Sequence, residues 1–224
     1  MAEQIEIIDG VAHIVNRQIV RSVSFGAFAR ALSQKSGIRT PYLPPGVVQY
    51  GERGNLSLFV VEQAPATRVI THRYARNKDP LQYTIALPWV YFTMTFRHYS
   101  FEGMGVYFAR QQLMGENDRL CYAPLPNLHP GGHACLGDTT FQVTSSVTAR
   151  VTKAAELFWQ TAFNTDLSQQ YEGYMPDVIK HLTQAGTWFE GWSKVPAHDI
   201  CGLDWRHYKS LGDIVDGLLP EEDE

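Results

Sequence analysis

The sequence predicts an α+β fold, an antiparallel β-meander with helices packed on one side of it. Three observations carry this expectation. Strand-like segments crowd into residues 47–112 with tight turns between them. An irregular stretch over 121–140 follows, holding three prolines and three glycines. Helical periodicity then returns near residue 145. A block of strands followed by a block of helices, without βαβ alternation, puts the helices beside an antiparallel sheet.

Taken in order, residues 4–22 are rich in Ile and Val and carry Asp9-Gly10 between two runs, which predicts two strands joined as a hairpin. Ser24 then precedes Phe25, Phe28, Ala29 and Leu32 at helical spacing, with Gly37 placed to stop a helix over 25–36. Pro41, Pro44, Pro45 and Gly46 make an extended crossing. Strands are predicted at 47–50, 56–62, 67–72, 83–87, 90–97 and 105–110, with turns at Gly51, Gly54, Pro65, Asp79-Pro80 and Glu102-Gly103. Val147, Val151, Ala154, Ala155, Phe158 and Ala162 share one face of a helix over 145–163. Shorter helices are predicted at 175–184, where Pro176 suits the first turn, and at 208–218. Trp188, Phe189, Trp192 and Trp205 read either as core or as a partner-binding patch. The tail Glu221-Glu-Asp-Glu224 reads as a solvated acidic end.

No shift of composition divides the 224 residues, so a single domain over 1–224 is expected. Apolar residues make up 44% and charged residues 19%, too apolar a balance for a disordered chain. Nineteen Lys plus Arg against 23 Asp plus Glu give a net charge of -4, which argues against nucleic acid as a partner. The longest apolar stretches, such as 85–91 with Pro88 inside it, fall far short of the roughly 20 residues of a membrane span. The acidic start lacks an apolar signal core, and a cytoplasmic location is the expectation. Three widely spaced cysteines make no disulfide framework, so each reads as core filler, metal ligand or nucleophile.

Function is expected in the irregular segment, because long loops held by rigid elements are where chemistry concentrates. Residues 124–138 read Pro-Leu-Pro-Asn-Leu-His-Pro-Gly-Gly-His-Ala-Cys-Leu-Gly-Asp. Cys135 on a loop has the exposure a thiolate nucleophile needs, and the Asn127 amide is a donor of the type that stabilises an oxyanion. Pro126 would hold the Asn while Gly131-Gly132 let the chain double back. Plainer readings stand beside these: Cys135 as a small buried hydrophobe, Asn127 as a turn former bonded to its own backbone. Cys121, His129, His133 and Cys135 also offer a zinc-type donor set, although without a Cys-x2-Cys pair and with the histidines on a Gly-Gly loop. Gly131-Gly132 do not follow a strand and open a helix, as a phosphate-binding loop requires.

Pro126-Asn127, Gly132 five residues after the Asn, and Cys135-Leu136 three after the Gly resemble the active-site signature of ubiquitin-conjugating enzymes. More closely, the chain resembles their prokaryotic relatives grouped as PRTRC system protein B, or prokaryotic family D conjugating-enzyme-like proteins. Leu-Pro-Pro-Gly at 43–46, the Pro88-Trp89 pair and Cys135-Leu136-Gly137 follow in the same order. The likeness spans a conjugating-enzyme-like core over residues 40–165 and leaves 1–39 and 166–224 as elaborations. It implies a thioester carrier in which Cys135 accepts a ubiquitin-like protein from an adenylating (activating) enzyme and passes it to an amine. It implies that Asn127 stabilises the oxyanion or fixes the loop, that Asp138 orients or deprotonates an incoming lysine, and that neither metal nor nucleotide cofactor is needed. Leu125 stands where the family has His, and Phe141 is the nearest aromatic where a Trp is common. Inactive variants of this fold imply the alternative, a binding or assembly module.

Overall fold

The computed structural model describes residues 4–8, 11–16, 19–24, 43–73, 79–98, 100–136, 146–164, 167, 173–184 and 187–219. The chain groups into two compact units, residues 1–42 and residues 43–224. In the first, β1 (Gln4–Ile8), β2 (Val11–Asn16) and β3 (Ile19–Ser24) form an antiparallel meander. The sequence reading of two strands gives way to three, because the second run folds back on itself and sets Val11 opposite Ser24. The helix expected over 25–36 and the Asp9-Gly10 turn lie outside the described residues.

In the second unit a six-stranded sheet is built from β4 (Val47–Arg53), β5 (Leu56–Gln63), β8 (Trp89–Arg97), β9 (Ser100–Ala109), β10 (Arg119–Tyr122) and β12 (His207–Ser210). Its order is β12-β10-β9-β8-β5-β4 and every pairing is antiparallel. Between β5 and β8 the chain makes an excursion. Pro65 and Pro88 cannot extend a ladder, and between them β6 (Ala66–Arg73) and β7 (Leu81–Leu87) form a separate hairpin. β11 (Phe163–Asn164) joins that hairpin by pairing parallel to β6.

The central strands of the six-stranded sheet alternate between two cores. Phe59, Val61, Phe92, Met94, Val106 and Phe108 face one core, and Val60, Tyr91, Tyr107 and Leu120 face the other. On the first face lies α1 (Val147–Gln160), opened by Ser146, whose hydroxyl accepts from Ala149 N at 3.4 Å. Val151, Ala154, Ala155 and Phe158 of α1 are buried, and the Phe158 ring meets Phe92 edge to face at 5.7 Å. This is the α+β architecture the sequence predicts, with α1 packed through the expected residues. The short α2 (Asp177–Leu182) and α3 (Trp188–Trp192) extend the same core. Phe189, Trp192 and Trp205 are core residues, with Trp192 Nε1 donating to Ala86 O at 2.7 Å.

On the opposite face lies α4 (Leu211–Leu218), packed through Leu211 and Ile214. The helix expected from 208 begins three residues later. Residues 207–210 pair with β10 as an edge strand, and Ser210 and Asp213 cap α4 reciprocally. Glu102-Gly103, expected as a turn, lies inside β9, because the chain reverses earlier, at His98, which takes a left-handed φ of 54°. Among the described residues, no helix is long and apolar enough to cross a membrane.

Candidate functional site

After β10 the chain drops into the α1-side core. Leu125 and Leu128 are fully buried, Pro124 and Pro126 are buried with them, and Leu128 N donates to Leu125 O at 3.1 Å. This is a β-turn with Pro126 in its second position, where a fixed φ suits the turn, and Asn127 in its third. Asn127 is only 6% exposed. Its Oδ1 accepts from Asn164 N at 3.1 Å and its Nδ2 donates to Ala162 O at 3.3 Å, so the side chain ties the turn to β11.

From that turn a small hairpin rises. Cys135 N donates to Asn127 O at 2.7 Å, Leu128 bridges Ala134, and His129 N donates to His133 O at 2.8 Å. The pairs 127/135, 128/134 and 129/133 therefore face each other across it. The returning arm lies on β9, with Ala134 N donating to Met104 O at 2.8 Å and Val106 N to Gly132 O at 2.9 Å. β10 holds the same edge of β9 further along, at Tyr107 and Phe108. Gly132 turns this corner at φ 82°, and a Cβ there would stand 2.4 Å from the Tyr107 ring. No other residue type fits so tight a place without strain. Tyr107 donates its hydroxyl proton to Gly131 O at 3.1 Å, and burial pushes its phenol up to about 12.

Alternation along the hairpin sorts its side chains. Leu128 and Ala134 enter the core, while His129, His133 and Cys135 are exposed. Of the three cysteines, Cys135 is the exposed one. Cys121 is buried on β10, where desolvation pushes its thiol up to about 11, and the half-buried Cys201 is raised by burial as well. Cys135 is thus the thiol that a substrate can reach.

The structure brings Cys135 and Asn127 together through their backbones and commits the Asn127 amide to β11. Asp138 lies outside the described residues, as does Phe141. The zinc-type set is dispersed: Cys121 Sγ sits 3.7 Å from His207 Nδ1, and among the described residues no three His, Cys, Asp or Glu side chains converge. One feature escaped the sequence reading. The His133 ring lies over Gly103 of β9, where a Cβ would stand 2.7 Å from its Cε1. Burial there, and next the charge of His129 with ring centroids 6.4 Å apart, hold the His133 imidazole below its ordinary pKa. The signal was the pair Gly103 and Gly105 in one strand, two bare positions on the same face.

No curated protein and no solved structure matches the chain. The family model described as prokaryotic E2 family D matches residues 25–194, about three quarters of the sequence. That span runs from before β4 past α3 and includes the whole Cys135 hairpin and α1. With its antiparallel sheet, the helix beside it and this match, the chain belongs to prokaryotic E2 family D, a conjugating-enzyme-like family.

Proposed function

We propose that the protein carries acyl groups as a conjugating enzyme does. Cys135 accepts the C-terminal carboxyl of a ubiquitin-like protein as a thioester from an adenylating enzyme, and the acyl group then passes to an amine. The observation that carries this reading is the exposed Cys135 thiol at the end of a hairpin bonded on one side to β9 and on the other to a buried turn. A nucleophile held this way meets a large protein substrate without a deep pocket and keeps its position while the acyl group is exchanged. The reading adds no metal or nucleotide to the protein itself. The cytoplasm, where thiols stay reduced, suits it.

Asn127 acts first as a positioning residue, because its side chain fixes the turn whose carbonyl holds Cys135 N. Leu125, in the place of the family's His, fixes the same turn by packing. Asp138, three residues past the thiol, orients the incoming amine. The Leu-Pro-Pro-Gly segment at 43–46 and Pro88-Trp89 favour PRTRC system protein B as the narrower kinship. One observation favours the second reading, an inactive binding module: both polar ends of the Asn127 amide are engaged by the 162–164 backbone.

The test is charging by thiol exchange. A ubiquitin-like domain ending in Gly-Gly, presented as a small-thiol thioester, should give a one-to-one adduct that reductant dissolves. Cys135→Ala should give none. An adduct that forms equally on Cys135→Ala would move the chemistry elsewhere, and no adduct on the native protein would favour the binding module.

A further inference from the structure

We infer that His133 takes the proton from the attacking amine when the acyl group leaves Cys135, a role that rests on the carrier reading above. The argument begins with register. His133 stands opposite Gly105, with the Ala134–Met104 and Val106–Gly132 bonds on either side of the bridge. In an antiparallel pair each step along one strand is a step back along the other, so Cys135 falls opposite Gly103. The His133 ring covers Gly103. It therefore leans from its own position toward the place across from the thiol, and the missing Cβ of Gly103 makes the seat.

Spacing fits the role. His133 and Cys135 lie two residues apart on one face of an extended arm, about 7 Å between backbones. A carbonyl carbon on Sγ with an amine approaching it fits that interval, and a proton acceptor must come within about 3 Å of the amine nitrogen. His133 and Cys135 are both exposed, so an incoming substrate can reach them. His129, on the far arm and opposite His133, stands only diagonally from the thiol and has no glycine seat.

Protonation fits as well. Among the described residues, the charge acting on the His133 ring is that of His129 across the hairpin; Glu102 precedes Gly103 along β9, and Tyr107 and Tyr208 lie against Gly132 and Gly131 at the tip. Glu102 is paired with Arg97 at 3.6 Å, and the Tyr107 phenol is neutral at physiological pH. With burial and His129 both lowering it, the imidazole is neutral near pH 7 and able to accept. In the step itself the amine nitrogen attacks the thioester carbonyl carbon. The C–N bond forms as the C–S bond breaks, Sγ leaves as thiolate, and the amine proton passes to the imidazole. The imidazolium then returns it to the thiolate or to water.

The experiment charges the full-length protein as above and follows discharge to free lysine from about pH 5.5 to 8. His133→Asn should load as the native protein does and discharge about 10²-fold more slowly or worse. The ratio of native to variant rates cancels the titration of lysine, and it should hold through the ordinary imidazole range and fall only on its acid side. Free imidazole should restore discharge to His133→Ala. Gly103→Ala, which keeps the imidazole but displaces it, should load normally and discharge slowly. If Cys135 loads and His133→Asn discharges at the native rate with an unchanged pH profile, the inference fails and the carrier stands. If Cys135 never loads, the carrier reading fails and takes this inference with it.

Discussion

The two halves of the segment between β10 and α1 are built on opposite terms. The turn at 125–128 is sunk in the core, packed through two leucines and tied to β11 by Asn127. The arm at 129–135 turns His129, His133 and Cys135 to solvent, buries only Gly132 and Ala134, and is held by backbone bonds to β9 and to the turn. The difference shows how a loop with three prolines and three glycines can present a thiol at a fixed place. Burial supplies the rigidity in one half, so the other half is free to be exposed. Precision at an exposed group depends on such support behind it.

Substitutions should separate the halves, and the largest effect is expected in the buried one. Leu125→Ala empties a fully buried site and should cost about 2–5 kcal/mol in chemical denaturation. Gly132→Ala forces a side chain into left-handed backbone against the Tyr107 ring, and a loss of about 2–4 kcal/mol is expected. Asn127→Ala removes the Oδ1 that accepts from Asn164 N and should lower stability by about 1–3 kcal/mol. Asn127→Asp keeps an acceptor there and should recover part of that loss, whereas equal losses would show that the bond to Asn164 is not what fixes the turn.

The smallest effect belongs to the exposed half. His129→Asn should change stability by less than about 0.5 kcal/mol. It removes a positive neighbour that holds His133 down, so the His133 imidazole should rise toward its ordinary value. The acid limb of discharge should then move to higher pH. A shift to lower pH, or a large stability loss, would mean that the His129 side chain is not the exposed, weakly supporting group described here.

Much of the frame was legible because its signals are local. β5 and β8 are apolar runs set off by Pro/Gly punctuation, and α1 follows the Val151, Ala155 and Phe158 stripe. The misreadings are places where a distant partner decides. His207–Ser210 continues a helical pattern into α4 and is a strand only because β10 lies beside it. Glu102-Gly103 has turn composition and stays in β9 because Thr95 of β8 pairs with Gly103. At the site, Asn–Gly–Cys spacing marked the loop, and glycines signalled its reversal. The hold of Asn127 on β11, 35 and 37 residues away, is not written in any local pattern. Nor is the seat of His133 on Gly103, since it depends on the register between two segments 30 residues apart.

The central claim is that Cys135 carries a thioester, and the most direct measurement compares it with a serine in its place. Native protein and Cys135→Ser are each mixed with an activating enzyme, ATP and the ubiquitin-like protein it activates, and the products are weighed by mass spectrometry with and without reductant. The native adduct should vanish in reductant. The serine variant should give either no adduct or an oxygen ester that survives reductant and yields to hydroxide. A native adduct that resists reductant, or one that serine leaves unchanged, would contradict the account.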